Sequence, residues 1–264
     1  MLSLLKPLAF RACSNVISLV LLNTRYDTIF AALFGFWEWI CVKNSIPAWL
    51  LPSPSRILVS MVRNFSDFLP HILISFETVL LGFLFAVPLG ILLATLITSS
   101  KTISSALSPY VILLVTTPLI VLLPLLMLFL GYGLKVRIIG VVLQAFAIVN
   151  MNTCTGILNV PVMRHELMQT VGASKRQSLR HVVYPTAILD IFTGVRLSAI
   201  FATTACVSAE YVGGNEGLGA LIIRYSQYLK TTESFACIFY VTMIGLFMYG
   251  LVSFLQKKVI YWKS

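Results

Sequence analysis

ILISFETVLLGFLFAVPLGILLATLI, residues 72–97, is the stretch that decides the fold. It carries a single charge, Glu77, shows no period-two alternation, and exceeds the roughly 20 residues a helix needs to cross hydrocarbon. Backbone polar groups in lipid must be bonded within their own segment or within a closed barrel, so such a run is a transmembrane helix. Moving outward, further apolar runs lie at 26–42, 107–130, 136–158, 187–208 and 235–255; the first is short and contains Glu38. The expected fold is all-α, a polytopic bundle of about six spans. The whole composition agrees: 58% hydrophobic, 11% charged, mean hydropathy +0.94, outside the range of soluble domains.

Six spans place both termini on one side of the membrane. With the N-terminus inside, eleven Lys and Arg fall on the cytoplasmic side and seven opposite, with Arg196 inside the fifth span. That bias favours cytoplasmic termini and accounts for the formal charge of +10 without a nucleic-acid partner. Lys6 and Arg11 precede a short apolar run, 16–22, which ends in Asn23-Thr24-Arg25 with no small-residue cleavage site. Residues 1–25 are therefore expected to be a cytoplasmic or interfacial lead-in. Residues 26–264 form the transmembrane domain, with its core at about 70–255. The five cysteines form no C-x-x-C pair, and Cys41, Cys154, Cys206 and Cys237 lie in or beside apolar runs, as small buried hydrophobes do. No metal site follows.

Two connections exceed a tight turn. The first, 43–71, contains Pro47, Pro52, Pro54 and Pro70, and its stretch 55–65 suits a short helix on the outer surface. The second, 161–185, is cytoplasmic on this topology and reads as two short helices joined by a bend. Pro161 suits a helical first turn and Gly172 a left-handed C-terminal cap. Between them Met163, Leu167 and Val171 form one apolar stripe beside Arg164, His165 and Gln169. Ser174-Lys-Arg-Gln177 has the form of a capping box, which restarts a helix toward Pro185. Such a pair suits docking in a groove of a soluble partner; a solvated loop rich in retained cations is the other reading.

Glu166, Gly172 and Pro185, with Val182-Val183-Tyr184 before the proline, resemble the cytoplasmic motif of ABC importer permeases, in which Gly follows Glu by six residues and I-x-L-P closes the loop. The run from Gly172 through Ala173 and Ser174 to Pro185 is similar to permeases of the nitrate, sulfonate and taurine transporter family. So are residues 49–56, Gly131-Tyr-Gly133, Asn152-Thr153, Thr193-Gly-Val-Arg196 and 210–219. The resemblance covers roughly 37–262. Departures are Leu167 and Met168 where the family has alanines, Tyr184 for the usual Leu, and Glu77 in the second span.

The resemblance implies a type I importer permease-like bundle: half of a dimeric pore, expected to be a homodimer, fed by an external solute-binding protein and driven by two cytoplasmic ATP-binding subunits. Those subunits would bind ATP and Mg, and this chain would carry no cofactor and no catalytic site. Its coupling loop would comprise Glu166, Leu167, Gly172, Ala173, Ser174 and Pro185. The location implied is the bacterial cytoplasmic membrane, among lipid. The cargo would be a small organic or inorganic anion such as a sulfonate, taurine or nitrate. Polar groups in the spans are the candidates for the translocation path: Thr116, Thr117, Asn150, Asn152, Arg196, Ser198, Thr203, Thr204 and Ser208. Each has a second reading as a hydroxyl or amide bonded to helix backbone. Glu210 with Gly213, Gly214, Gly217 and Gly219 reads as an outer gate or binding-protein contact, or as a plain flexible turn. Arg196 is expected to snorkel inward or to meet Asp190 or Glu77.

Two other functions compete. His165-Glu166 begins H-E-x-x-H, but the second His is missing, because Gln169 stands there, and no catalytic constellation appears. An ion-driven secondary transporter needs intramembrane carboxylates or broken helices; Glu77 beside Pro88 and Gly90, with Glu38 as a relay partner, is what the sequence offers it. Buried structural carboxylates are the plainer reading of both Glu.

Overall fold

The structure, a computed structural model, describes residues 24–213 and 215–260. The lead-in expected at 1–25 lies outside these residues apart from its last two positions, and Gly214 lies outside them too. Ten helices follow in order: α1 Thr24–Lys43, α2 Pro54–Arg63, α3 Phe65–Ser99, α4 Lys101–Thr116, α5 Leu119–Leu130, α6 Leu134–Leu158, α7 Val162–Thr170, α8 Lys175–Gly213, α9 Leu218–Gln227 and α10 Thr231–Val259. Four of them, α3, α6, α8 and α10, are long and apolar enough to cross a membrane, and the bent pair α4–α5 makes a fifth if counted as one span. The expected first span does form a helix, α1, of 20 residues. It falls outside that measure because charged residues at both ends and Glu38 dilute its apolar run.

The core is α6 packed between α3 and α8. Without a hydrophobic force between helices in lipid, close packing of small residues holds them together. Gly82, Ala86, Gly90 and Ala94 recur every four residues on α3, and all are buried. A Cβ at Gly90 would lie 2.7 Å from Val149 Cβ and 2.9 Å from the Phe146 carbonyl on α6. On the other side of α6, a Cβ at Gly194 of α8 would lie 2.6 Å from Asn152 Cβ. Backbones meet where side chains are absent.

Two expectations are corrected. Residues 107–130 are not one continuous span: α4 and α5 meet at 104°. Pro118 has no N–H to donate and drives Thr117 out of the helical region, so Thr117 (φ −79°, ψ 120°) and Pro118 (φ −60°, ψ 123°) are both extended. The Thr116 and Thr117 hydroxyls donate to the Ile112 and Leu113 carbonyls at 3.0 and 2.8 Å, and the Thr117 N–H also donates to Leu113, so both hydroxyls are satisfied within the last turn of α4.

The second correction concerns 175–185, which is not a separate short helix. It is the first part of α8, a helix of 39 residues, about 58 Å long at 1.5 Å per residue. The helix passes Pro185 by widening to a π turn at Leu179–Val183, where the Tyr184 N–H donates to the Leu179 carbonyl five residues back. The expected helix at 55–65 appears as α2, Pro54–Arg63.

Candidate functional site: an exposed coupling helix and a capped loop

The coupling-loop and gate candidates separate into two places at opposite ends of α8. At its N-terminal end, α7 closes with backbone bonds set by one glycine. Gly172 takes φ +68°, a conformation that glycine adopts without a Cβ clash. Its N–H donates to the Gln169 carbonyl at 3.0 Å, and the Ala173 N–H donates to the Met168 carbonyl at 2.9 Å. These are the paired bonds of a Schellman cap. Ser174 then opens α8 with the capping box: its Oγ accepts from the Gln177 N–H, and Gln177 Oε1 accepts from the Ser174 N–H at 2.8 Å. Two helices are thus joined through a bend with few free backbone groups.

The apolar stripe of α7 faces away from the chain. Met163 is 78% exposed, Leu167 62% and Val171 68%. Arg164 Nη1 donates to Thr186 Oγ1 at 2.6 Å, tying α7 back to α8. Tyr184, the departure from the usual Leu, bonds Thr95 Oγ1 of α3 at 2.8 Å. Thr95 spends its own proton on the Ile91 carbonyl, so Tyr184 is the donor. α7 is thus tied to α8, and α8 to α3, through named bonds. Glu166 is exposed beside the stripe.

At the other end of α8 lies a buried polar cluster whose members sequence reasoning left apart. Glu210 is fully buried. It accepts from Ser75 Oγ at 2.7 and 2.9 Å, from Cys206 Sγ at 3.4 Å and from the Gly219 N–H at 2.9 Å. Ser75 in turn accepts from the Leu218 N–H at 2.9 Å, and His71 Nδ1 accepts from the Gly217 N–H at 3.1 Å. Three successive backbone donors at the start of α9 thus meet three side chains, two from α3 and one from α8. Helix N-termini leave such donors unpaired and carry a partial positive charge, which suits a carboxylate. Gly217 makes the approach with φ +95°.

Arg137, buried at the start of α6, reaches the same loop through the Glu216 carbonyl at 3.2 Å and the Glu216 carboxylate at 3.4 Å. Residues 217–219 are held by the His71, Ser75 and Glu210 side chains. Gly213 follows Tyr211 and Val212 at the end of α8, facing Met127 of α5. His71, Ser75 and Arg137 were missed as site residues. His71 and Ser75 stand one helical turn apart on α3, a signal that an apolar run conceals, and Arg137 is one of the seven cations that the charge bias places opposite the cytoplasmic side.

The path candidates fall into two groups. Asn150, Ser198 and Thr203 are buried in helix packing: Asn150 Nδ2 donates to the Gly90 carbonyl at 3.3 Å, Ser198 to the Val195 carbonyl at 2.9 Å and Thr203 to the Ala199 carbonyl at 3.1 Å. Asn152, half-buried, donates to the Ile148 carbonyl at 2.9 Å. Thr204 is exposed and Ser208 half-buried, one turn apart on α8, while Thr116 and Thr117 mark the α4–α5 bend. Arg196 is half-buried and pairs with neither Asp190 nor Glu77 among the described residues.

Nor do the two glutamates suit a relay. Glu77 is exposed on α3, not buried. Glu38 accepts from the Ser55 N–H at 2.9 Å and from Ser55 Oγ at 2.7 Å, which caps α2.

Residues 86–261 match the family described as the binding-protein-dependent transport system inner membrane component. A formylaminopyrimidine transport permease of Halalkalibacterium halodurans is 28% identical, over 89% of this chain and 94% of its own length. A putative aliphatic sulfonates transport permease of Bacillus subtilis is 28% identical, over 89% and 86%. A nitrate import permease of Synechocystis sp. is 30% identical, over 87% and 86%. Among solved structures, an amino acid ABC transporter chain is similar with a TM-score of 0.61 at 21% identity, covering 76% of this chain and 97% of that one.

Proposed function

The chain belongs to the binding-protein-dependent transport system inner membrane components, and from that premise we propose how its parts serve an ABC importer. It is a multi-pass membrane permease with the type I importer fold, and its relatives are transport proteins, not enzymes. The proposal assigns α7 and the start of α8 as the seat of a cytoplasmic ATP-binding subunit, two of which would serve a homodimer of this chain. ATP and Mg belong to those subunits. The observation that carries the reading is the apolar stripe Met163, Leu167 and Val171, uncovered by its own chain on a capped helix that Arg164 ties to Thr186 of α8. An unpartnered amphipathic helix of this kind lies in a partner's groove.

ATP-driven approach of two such subunits would carry the α7 pair together and rock α8 and α3 as rigid bodies, alternating access to a central path. Thr204 and Ser208, on the less covered side of α8, are the path candidates this arrangement favours, with Thr116 and Thr117 at the bend. The pinned loop 217–219 is assigned to the outer face, where an external binding protein delivers cargo. The N- and C-termini are assigned to the cytoplasm, with α1 crossing as well; its 20 residues span about 30 Å. The cargo is proposed to be a small anion such as a sulfonate, taurine or nitrate, supported by the sulfonate and nitrate relatives. The formylaminopyrimidine relative carries a different class of molecule, so the delivering protein is assigned most of the selection.

Co-purification with the ATP-binding subunit tests the seat. Gly172→Pro forbids the +68° backbone and is expected to abolish association while the chain stays in the membrane. Equal recovery of the subunit with wild type and variant would remove α7 as the seat.

A further inference from the structure

At the end of the bundle where α1 finishes and α10 begins, α2 presents three different faces. Ile57 and Met61 are buried toward the bundle, with Ser60 beside them. Leu58, Val59 and Val62 are exposed, Val62 at 81%. On the edge between these faces Arg56 and Arg63 stand two turns apart, on one stripe with Val59 and Ser60. This stripe, with Thr232 and Glu233 from the first turn of α10, lines an open cavity of about 390 Å³. Neither arginine makes a hydrogen bond or ion pair among the described residues. Two guanidinium groups without a hydrogen bond among the described residues, beside an uncovered apolar face, are an arrangement the transport reading leaves unused.

The surroundings give the depth at which α2 lies. Exposed Trp39 and Trp49 and Tyr228 ring the same end. Lys43 Nζ sits 4.3 Å over the Trp39 ring, and Thr231 of α10 donates to the Trp49 carbonyl. Glu38, next to Trp39, caps α2 through Ser55. Trp and Tyr concentrate at the boundary between hydrocarbon and headgroups, and an amphipathic helix with basic residues on its polar edge lies in that plane. We propose that the Arg56–Arg63 groove holds the headgroup phosphate of an anionic phospholipid whose acyl chains lie along Leu58, Val59 and Val62. The flanking Trp39, Trp49 and Tyr228 place this apolar row at the depth of acyl chains, which makes a lipid the occupant.

Arginine presents a planar fork of donors that matches phosphate oxygens, and two forks flanking Ser60 supply both charge and hydrogen bonds. Glu233 lines the same cavity and Glu38 lies near Arg56, so two carboxylates oppose an anion there and the two arginines supply the preference for it.

The test uses the purified full-length chain in neutral detergent, with phosphatidylglycerol, phosphatidylcholine or inorganic phosphate added, read by lipid retention in native mass spectrometry and by thermal midpoint. Each arginine is expected to contribute about 5-fold in affinity for the anionic lipid, so Arg56→Gln with Arg63→Gln weakens phosphatidylglycerol about 30-fold. The double Lys variant keeps most of the preference and serves as the folded control, and Glu233→Gln strengthens it. Inorganic phosphate, lacking acyl chains, shifts nothing. Equal phosphatidylglycerol retention by wild type and the double Gln variant would overturn the proposal, as would an equal shift with phosphate alone. So would arginine-dependent capture of the external binding protein with lipid retention unchanged. All arms omit the ATP-binding subunit, so their outcome is separate from that of the α7 seat.

Discussion

Replacing Glu210 with alanine is expected to destabilise the chain by about 3 kcal/mol, because a fully buried acceptor is removed from donors that have no substitute. The Ser75 hydroxyl and the Gly219 N–H lose their partner in one step, Cys206 keeps only the Ser75 carbonyl at 3.6 Å, and buried Arg137 keeps only Glu216. By the usual scaling for a chain of this size, the thermal midpoint falls by roughly 10 °C. Amide exchange separates this account from a general loss of packing. The Gly217, Leu218 and Gly219 N–H groups, held by His71, Ser75 and Glu210, are expected to lose protection first. The amides of α6, away from the loop, are expected to keep theirs up to the lowered midpoint. Glu210→Gln keeps one acceptor oxygen and should lie between the two. An unchanged midpoint in the Ala variant would mean that the cluster does not hold α9 to α3 and α8.

The second large effect is expected at Leu167. At 62% exposure it contributes little to the chain's own stability, yet it is the centre of the stripe assigned to the ATP-binding subunit. Aspartate there places a charge in what the account makes a desolvated seat. The expected loss is about 2 to 4 kcal/mol, or roughly 30- to 1,000-fold in affinity for the subunit, with a wild-type thermal midpoint. A large fall in the midpoint with unchanged subunit affinity would instead place Leu167 in this chain's own fold.

What was legible in the sequence follows the range of the forces involved. α7 and its cap were readable because Pro161, Gly172 and Ser174–Gln177 act within a few residues of themselves. α6 was readable to within two residues of its observed start, because a long apolar run needs no partner to declare itself. The α4–α5 bend was missed because summed hydropathy does not register that Thr117 and Pro118 both leave the helical region. The start of α8 was split from its span for the opposite reason: Pro185 reads as a stop, and a π turn carries the helix through it. The buried cluster was out of reach. Glu210 meets Ser75 and Gly217 meets His71 across more than half the chain, and no local pattern announces such a meeting. Arg137 illustrates the cost, since a cation at a span end reads the same whether it faces water or a buried loop.

Substrate uptake into proteoliposomes is the most direct measurement of the central claim. This chain would be reconstituted with its ATP-binding subunit, with the binding protein and a labelled sulfonate or nitrate supplied on the binding-protein side. The account predicts uptake that requires ATP and both partners and is lost with Leu167→Asp in the membrane-inserted, folded chain. Uptake by the chain alone, driven by an ion gradient without ATP, would contradict it.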